Sequence, residues 1–198
     1  MKLLNDVLMH NARFVEERER PLSKAPAKKI AIFTCMDTRL VEFLEPAMGL
    51  RRGDAQVIKN AGTAILDPQG GVIRSLVVAV HGMGCEEIYV IGHLDCGLAS
   101  IDEEAVQQRM LASGVPQEAL DTLVPSLGHW LGTFKDVYEN VRRVAATVRS
   151  NQLIPASVPV HGLMFDPESG RLEVLVNGYE ASPKNDTTQR TGSKAARP

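Results

Sequence analysis

A single α/β domain built around a mostly parallel sheet is the fold this sequence predicts, and three observations predict it. Three apolar runs of strand length, Lys29 to Thr34, Ala55 to Ile58 and Glu87 to Gly92, read as strands covered on both faces. Each is followed by residues at helical spacing, which is the rhythm of a parallel sheet with crossover helices. The chain has 198 residues, enough for one sizeable core without division. Hydrophobic residues at 44% and charged residues at 23% exclude a disordered, collagenous or membrane-embedded chain. A net charge of −2 gives no general attraction to nucleic acid or anionic lipid, so neither is expected as a partner.

The elements follow in order. Leu3, Leu4, Val7, Leu8, Ala12 and Val15 recur at helical spacing and predict an amphipathic, projecting helix over residues 2–19. The acidic Asp6 and the polar second half of this segment do not read as a signal peptide, no run of about 18 apolar residues exists, and a cytoplasmic location is expected. After the connector Pro21 to Lys28 come the three strands, with helices predicted at Val41 to Leu50 and Gly71 to Gly82. Residues 97–150 read as mostly helix, broken at Gly114-Val115-Pro116 and near Pro125. Val158 to Phe165 and Arg171 to Val176 read as two strands around the turn Asp166 to Gly170. The expected domain is 1–180. Residues 181–198, almost devoid of large apolar side chains, are expected to be a disordered tail.

Reactive side chains cluster directly after two of the strands, in Thr34-Cys35-Met36-Asp37-Thr38-Arg39 and in Gly92-His93-Leu94-Asp95-Cys96-Gly97. Ligand sites of open α/β sheets lie at the carboxyl ends of strands where strand order reverses. A first strand lying between the second and third brings both segments to that point. Only three cysteines occur, Cys35, Cys85 and Cys96, which is too few and unevenly numbered for a disulfide scaffold. Cys35, His93 and Cys96 offer two thiolates and an imidazole, a donor set suited to one Zn²⁺ per chain. Three protein ligands rather than four favour an open, catalytic site. A Cys nucleophile paired with His93 is the other reading, and it leaves the second thiol unexplained.

Asp37 can either take the fourth metal position, closing the site, or turn away under the hold of Arg39. In the second state its carboxylate is free to accept a proton and orient the nucleophile. Two thiolates neutralise the formal charge of the metal, so metal-bound water should ionise less readily than at an all-imidazole site. Activity is therefore expected to rise on the alkaline side of neutrality. Asp95 is expected to cap a helix N-terminus, with a part in carrying protons as the alternative, Cys85 to be a packing residue, and Trp130 to be a core or interface anchor. His10, His81, His129 and His161 have no motif around them.

Cys35-x-Asp37-x-Arg39 with His93-x-x-Cys96 resembles the β-class carbonic anhydrases, closest to their compact archaeal and Gram-positive-type branch. Lys59-Asn60-Ala61-Gly62, the Ser75 helix and Ile88 to Gly92 support the resemblance, with Lys59 standing where many relatives have Arg. The resemblance implies sheet order 2-1-3-4 plus an edge strand. It also implies a zinc lyase that hydrates CO₂ reversibly to bicarbonate and a proton by a zinc-bound hydroxide. Cys35, His93 and Cys96 would be the ligands, Asp37 and Arg39 the gating dyad, and Asn60, Ala61, Gly62 and Gly97 the substrate pocket. A homodimer or dimer of dimers follows, with the N-terminal helix embracing a partner. The same site could instead hydrolyse CS₂ or COS, or belong to a non-catalytic zinc protein in which Asp37 is a permanent ligand; Arg39 argues against the last.

Overall fold

The computed structural model describes residues 3–16 and 22–180. Five strands form one sheet: β1 (Ile30–Cys35), β2 (Ala55–Asn60), β3 (Glu87–His93), β4 (Val160–Phe165) and β5 (Leu172–Val176). Their spatial order is β2-β1-β3-β4-β5. The first four run parallel and β5 pairs antiparallel with β4, matching the expected arrangement. Alternation sorts the sheet into two cores. Ala31, Phe33, Ile88 and Val90 face a layer made by α3 (Gly71–Val77) and α7 (Val137–Ser150). Ile32, Cys35, Ile91, Leu163 and Phe165 face the opposite side with Leu40 and Leu44. Both faces of the central strands are thus apolar, which is why those runs lack polar alternation.

Helix α7 packs closest to the sheet. Val141, Val144, Ala145 and Val148 form its buried stripe, and a Cβ at Gly92 would lie 2.4 Å from Val141 Cγ2. Asp136 caps the helix by accepting the amides of Tyr138 and Glu139. The turns of α3 continue as a π-helical turn over Val78–Gly82. Residues 97–150 divide into α4 (Glu103–Ala112), α5 (Gln117–Leu120), α6 (Leu127–Leu131) and α7, with breaks at the predicted Gly114 to Pro116 and around Pro125.

One predicted helix is largely absent. Within Val41 to Leu50 only α2 (Leu44–Ala47) forms, because Val41 is extended and Glu42 has φ 55°. Gly49 then turns left-handed at φ 69°. The N-terminal helix α1 (Leu3–Glu16) is present, with Leu3, Leu4, Val7 and Leu8 all exposed. The rest of its predicted span, and the predicted tail 181–198, lie outside the described residues. Trp130 is half exposed rather than in the core, whereas Cys85 is buried as a packing residue. No described helix is long and apolar enough to cross a membrane.

His161, which carries no motif, is 5% exposed and takes part in a polar cluster at the end of the sheet opposite Cys35. Its ring stacks on Tyr89 at 4.7 Å and meets Tyr179 edge-on at 4.6 Å. Nδ1 accepts the Gly178 amide at 3.1 Å, which leaves the proton on Nε2, 3.5 Å from Glu87 Oε2. Burial pushes His161 below its ordinary value of 6.5, and the Glu87 charge only partly opposes this. The native state therefore binds this proton less readily than the unfolded chain, so the stabilisation is present above about pH 6.5 and is lost as pH falls below it. His161→Phe is expected to flatten the decline of melting temperature between about pH 7 and pH 5. An unchanged slope in differential scanning calorimetry would show that other groups set it.

Candidate metal centre

The site lies where the strand order reverses. β1 connects to β2 on one side and neighbours β3 on the other, so the carboxyl ends of β1 and β3 open into one crevice. Cys35 is the last residue of β1, level with Asn60 of β2; His93 is the last of β3, level with Phe165 of β4. A turn after His93 returns Cys96 to the same place. The donor atoms of Cys35, His93 and Cys96 all lie within 4.8 Å of one another, and all three residues are buried.

Hydrogen bonds fix each donor. His93 Nδ1 donates to the Leu94 carbonyl at 2.8 Å, leaving the lone pair on Nε2. Nε2 is buried without a hydrogen-bond partner, the signature of a nitrogen waiting for a ligand. Cys35 Sγ accepts the Gly62 amide at 3.3 Å. The neighbouring Cys96 chiefly, with help from the backbone amides, lowers the Cys35 thiol well below its ordinary value against the opposing effect of burial. Cys96 is raised in turn by the Cys35 thiolate and by burial. The two neighbouring thiols thus compete for protons, and a cation held between them would favour the thiolate form of both. Burial disfavours charge on His93, but the adjacent Cys35 thiolate more than offsets it and leaves His93 raised. Two sulfurs and one unpartnered nitrogen fit a zinc ion.

Asp37 and Arg39 stand beside this pocket on the short 3₁₀ turn Thr38–Leu40. The Arg39 guanidinium grips Asp37 twice, Nε to Oδ1 at 3.0 Å and Nη2 to Oδ2 at 2.9 Å, and its amide adds a bond to Oδ1 at 2.9 Å. That hydrogen bonding, chiefly from the side chain, holds the Asp37 carboxyl at about 2 despite partial burial. Asp37 Oδ2 is 3.7 Å from His93 Nε2, at the edge of the pocket.

The turn after β2 forms another wall. Asn60 braces it with its own side chain, donating to the Ala64 carbonyl and accepting the Ala64 amide. Gly62, at φ 69°, and Thr63, at φ 53°, both take the left-handed conformation; for a β-branched residue this is a strained choice of the kind found at functional sites. Thr34 and Thr63 both donate to the Ile91 carbonyl beneath the site, at 2.8 and 3.1 Å. Lys59 points away, pairing with Glu45 at 3.3 Å. Gly97 has open space where a Cβ would be.

Two features escape sequence reasoning. Asn140 of α7, 3% exposed, donates to the Gly62 carbonyl at 3.0 Å and accepts from Arg143 at 2.8 Å, so a helix 78 residues away sets the turn that holds Cys35. Its position on the stripe of Val137, Val141 and Val144 is the available signal, a polar residue where periodicity demands an apolar one. Asp95, expected as a helix cap, instead binds Arg39.

A family model described as carbonic anhydrase matches residues 30–172. YtiB of Bacillus subtilis, a candidate carbonic anhydrase by name, is 43% identical over 185 residues, covering 90% of this chain and 99% of YtiB. The crystal structure of β-carbonic anhydrase isoform I from Trichomonas vaginalis superposes with a TM-score of 0.85 at 38% identity, covering 90% of this chain and 100% of that one. The carbon disulfide hydrolase of Acidithiobacillus thiooxidans is 30% identical over 178 residues, 84% of this chain and 86% of its own. Taken with the β2-β1-β3-β4-β5 sheet and the Cys, His, Cys pocket at its switch point, these likenesses mean that the chain belongs to the β-class carbonic anhydrase family.

Proposed function

We propose that this protein catalyses the reversible hydration of CO₂ to bicarbonate and a proton, with one zinc ion held by Cys35, His93 and Cys96. The observation that carries the reading is the convergence of these three donors within 4.8 Å around an orphaned His93 Nε2. Bound there, zinc supplies the Lewis acidity that turns water into a nucleophile near neutral pH. Arg39 keeps Asp37 ionised and turned toward itself. Asp37 Oδ2 then accepts a hydrogen bond from the attacking water and orients it toward substrate. Closing on the metal as a fourth ligand would instead silence the site. Leu98 and Phe134, which face Gly62, supply an apolar wall suited to a small nonpolar gas. The backbone of Asn60, Ala61, Gly62 and Gly97 completes the substrate pocket. The exposed Leu3, Leu4, Val7 and Leu8 of α1 support a homodimer, or dimer of dimers, in which this helix packs on a partner; a cytoplasmic location is part of the same reading.

Stopped-flow CO₂ hydration by zinc-replete and chelator-treated protein tests the reading. A zinc-dependent rate that rises from about pH 7 to about pH 8.5 is expected, because two thiolates reduce the acidity of the metal's water. No zinc-dependent rate at either pH overturns the enzymatic reading, and a flat profile overturns the charge argument. The carbon disulfide hydrolase among the relatives favours CS₂ as a second substrate. Sulfide release from CS₂ under the same conditions separates the two.

A further inference from the structure

Arg39 has a second carboxylate partner. Nη1 donates to Asp95 Oδ2 at 2.9 Å and Nη2 donates to the Asp95 carbonyl at 2.8 Å. Asp37 takes Nε and the remaining Nη2 proton. Four of the five guanidinium N–H donors are thereby committed to two residues. Asp95 can offer its side chain and its carbonyl together because it sits at φ 52°, an uncommon conformation for a residue other than glycine. Its side chain is 83% exposed and that of Arg39 is 40% exposed, so burial does not hold either group in place. The arrangement spans the two segments that carry the metal donors, Arg39 from the β1 end and Asp95 from the β3 end.

We propose that Asp95 is a positioning residue that anchors the Arg39 guanidinium and so keeps Asp37 turned away from the metal. The inference rests on the zinc reading above. With only Asp37 as a partner, Arg39 is free to swing with it, and Asp37 Oδ2 starts just 3.7 Å from His93 Nε2. With Asp95 holding the far edge, the guanidinium cannot follow Asp37 into the pocket, and Asp37 must give up both bidentate bonds to enter.

The test uses cobalt(II)-loaded full-length protein and thiocyanate, an anion that competes for the fourth metal position, followed by visible absorption. Asp95→Gly suits the left-handed backbone and keeps the carbonyl contact, so it removes the carboxylate alone. Thiocyanate Kd is expected to rise three- to tenfold in Asp95→Gly, as Asp37 competes for the metal, and to stay nearer the parent value in Asp95→Asn, which retains an acceptor. In the Asp37→Ala background, Asp95→Gly should leave Kd within twofold. A parent-like Kd in Asp95→Gly overturns the proposal. So does an equal loss in the Asp37→Ala background, which would mean general distortion of the loop. Absence of a cobalt–thiolate charge-transfer band in the parent is a different failure: it refutes the ligand assignment, and this inference with it.

Discussion

Cys35→Ser is expected to reduce bound zinc from one per chain to below about a tenth and to lower CO₂ hydration by well over a hundredfold, since even outer-shell partners of metal ligands are worth about 10–100-fold. Serine keeps an acceptor for the Gly62 amide, so the fold should survive. What it loses is ionisation. The environment that lowers the Cys35 thiol has no comparable purchase on an alcohol. His93 and Cys96 remain, a pair too few for a tetrahedral ion at a protein site. Cys85→Ala is the control, because Cys85 is also buried but packs in the opposite core layer. It should keep its zinc at a cost of about 1 kcal/mol in stability. Metal analysis after gel filtration reads both variants, and stoichiometric zinc in Cys35→Ser would remove Cys35 from the ligand set.

Gly62→Ala carries the largest expected loss of stability. At φ 69° an alanine pays the left-handed penalty of about 1–2 kcal/mol. Its Cβ would lie 2.4 Å from Leu98 Cδ2 and 2.9 Å from Phe134 Cε1, adding about 1–3 kcal/mol of overpacking. Together these give about 2–5 kcal/mol, measurable by urea denaturation. The turn also carries the amide that Cys35 accepts, so zinc affinity should fall in parallel. Leu98→Ala in the Gly62→Ala background separates the two effects: it relieves the crowding and leaves the backbone strain. Full recovery of stability in the double variant would mean that the left-handed conformation costs nothing here.

The strands, and the convergence of Cys35, His93 and Cys96, were legible in the sequence for one reason. Cys35 and His93 stand directly after apolar runs, and the carboxyl ends of parallel neighbours converge, so strand assignment brings these side chains together. What was hidden depended on backbone conformation or distance. Asp95 looked like a cap because capping is what an aspartate in a turn usually does; only φ 52° aims it at Arg39. The predicted helix at Val41 to Leu50 had the right spacing, but spacing could not foresee that Glu42 would turn left-handed. Asn140 interrupts the apolar stripe of its helix, a signal that marks a buried polar group but not the Gly62 carbonyl, 78 residues away, that it binds.

The position of Cys35, His93 and Cys96 at the ends of two adjacent strands also bears on when the proposed metal site can assemble. His93 and Cys96 are close in sequence and meet in a single turn, but Cys35 is 58 residues from His93 and joins them only through the β1–β3 ladder. Such long-range pairing must pay the loop-closure entropy of the intervening chain, so it is slow compared with a local turn. A partly folded chain can therefore offer a cation two donors at most. The Cys35 sulfur, and the Gly62 amide that it accepts, come into place with the pairing of β1 to its neighbours, so zinc uptake at the proposed site would report that this part of the sheet has formed.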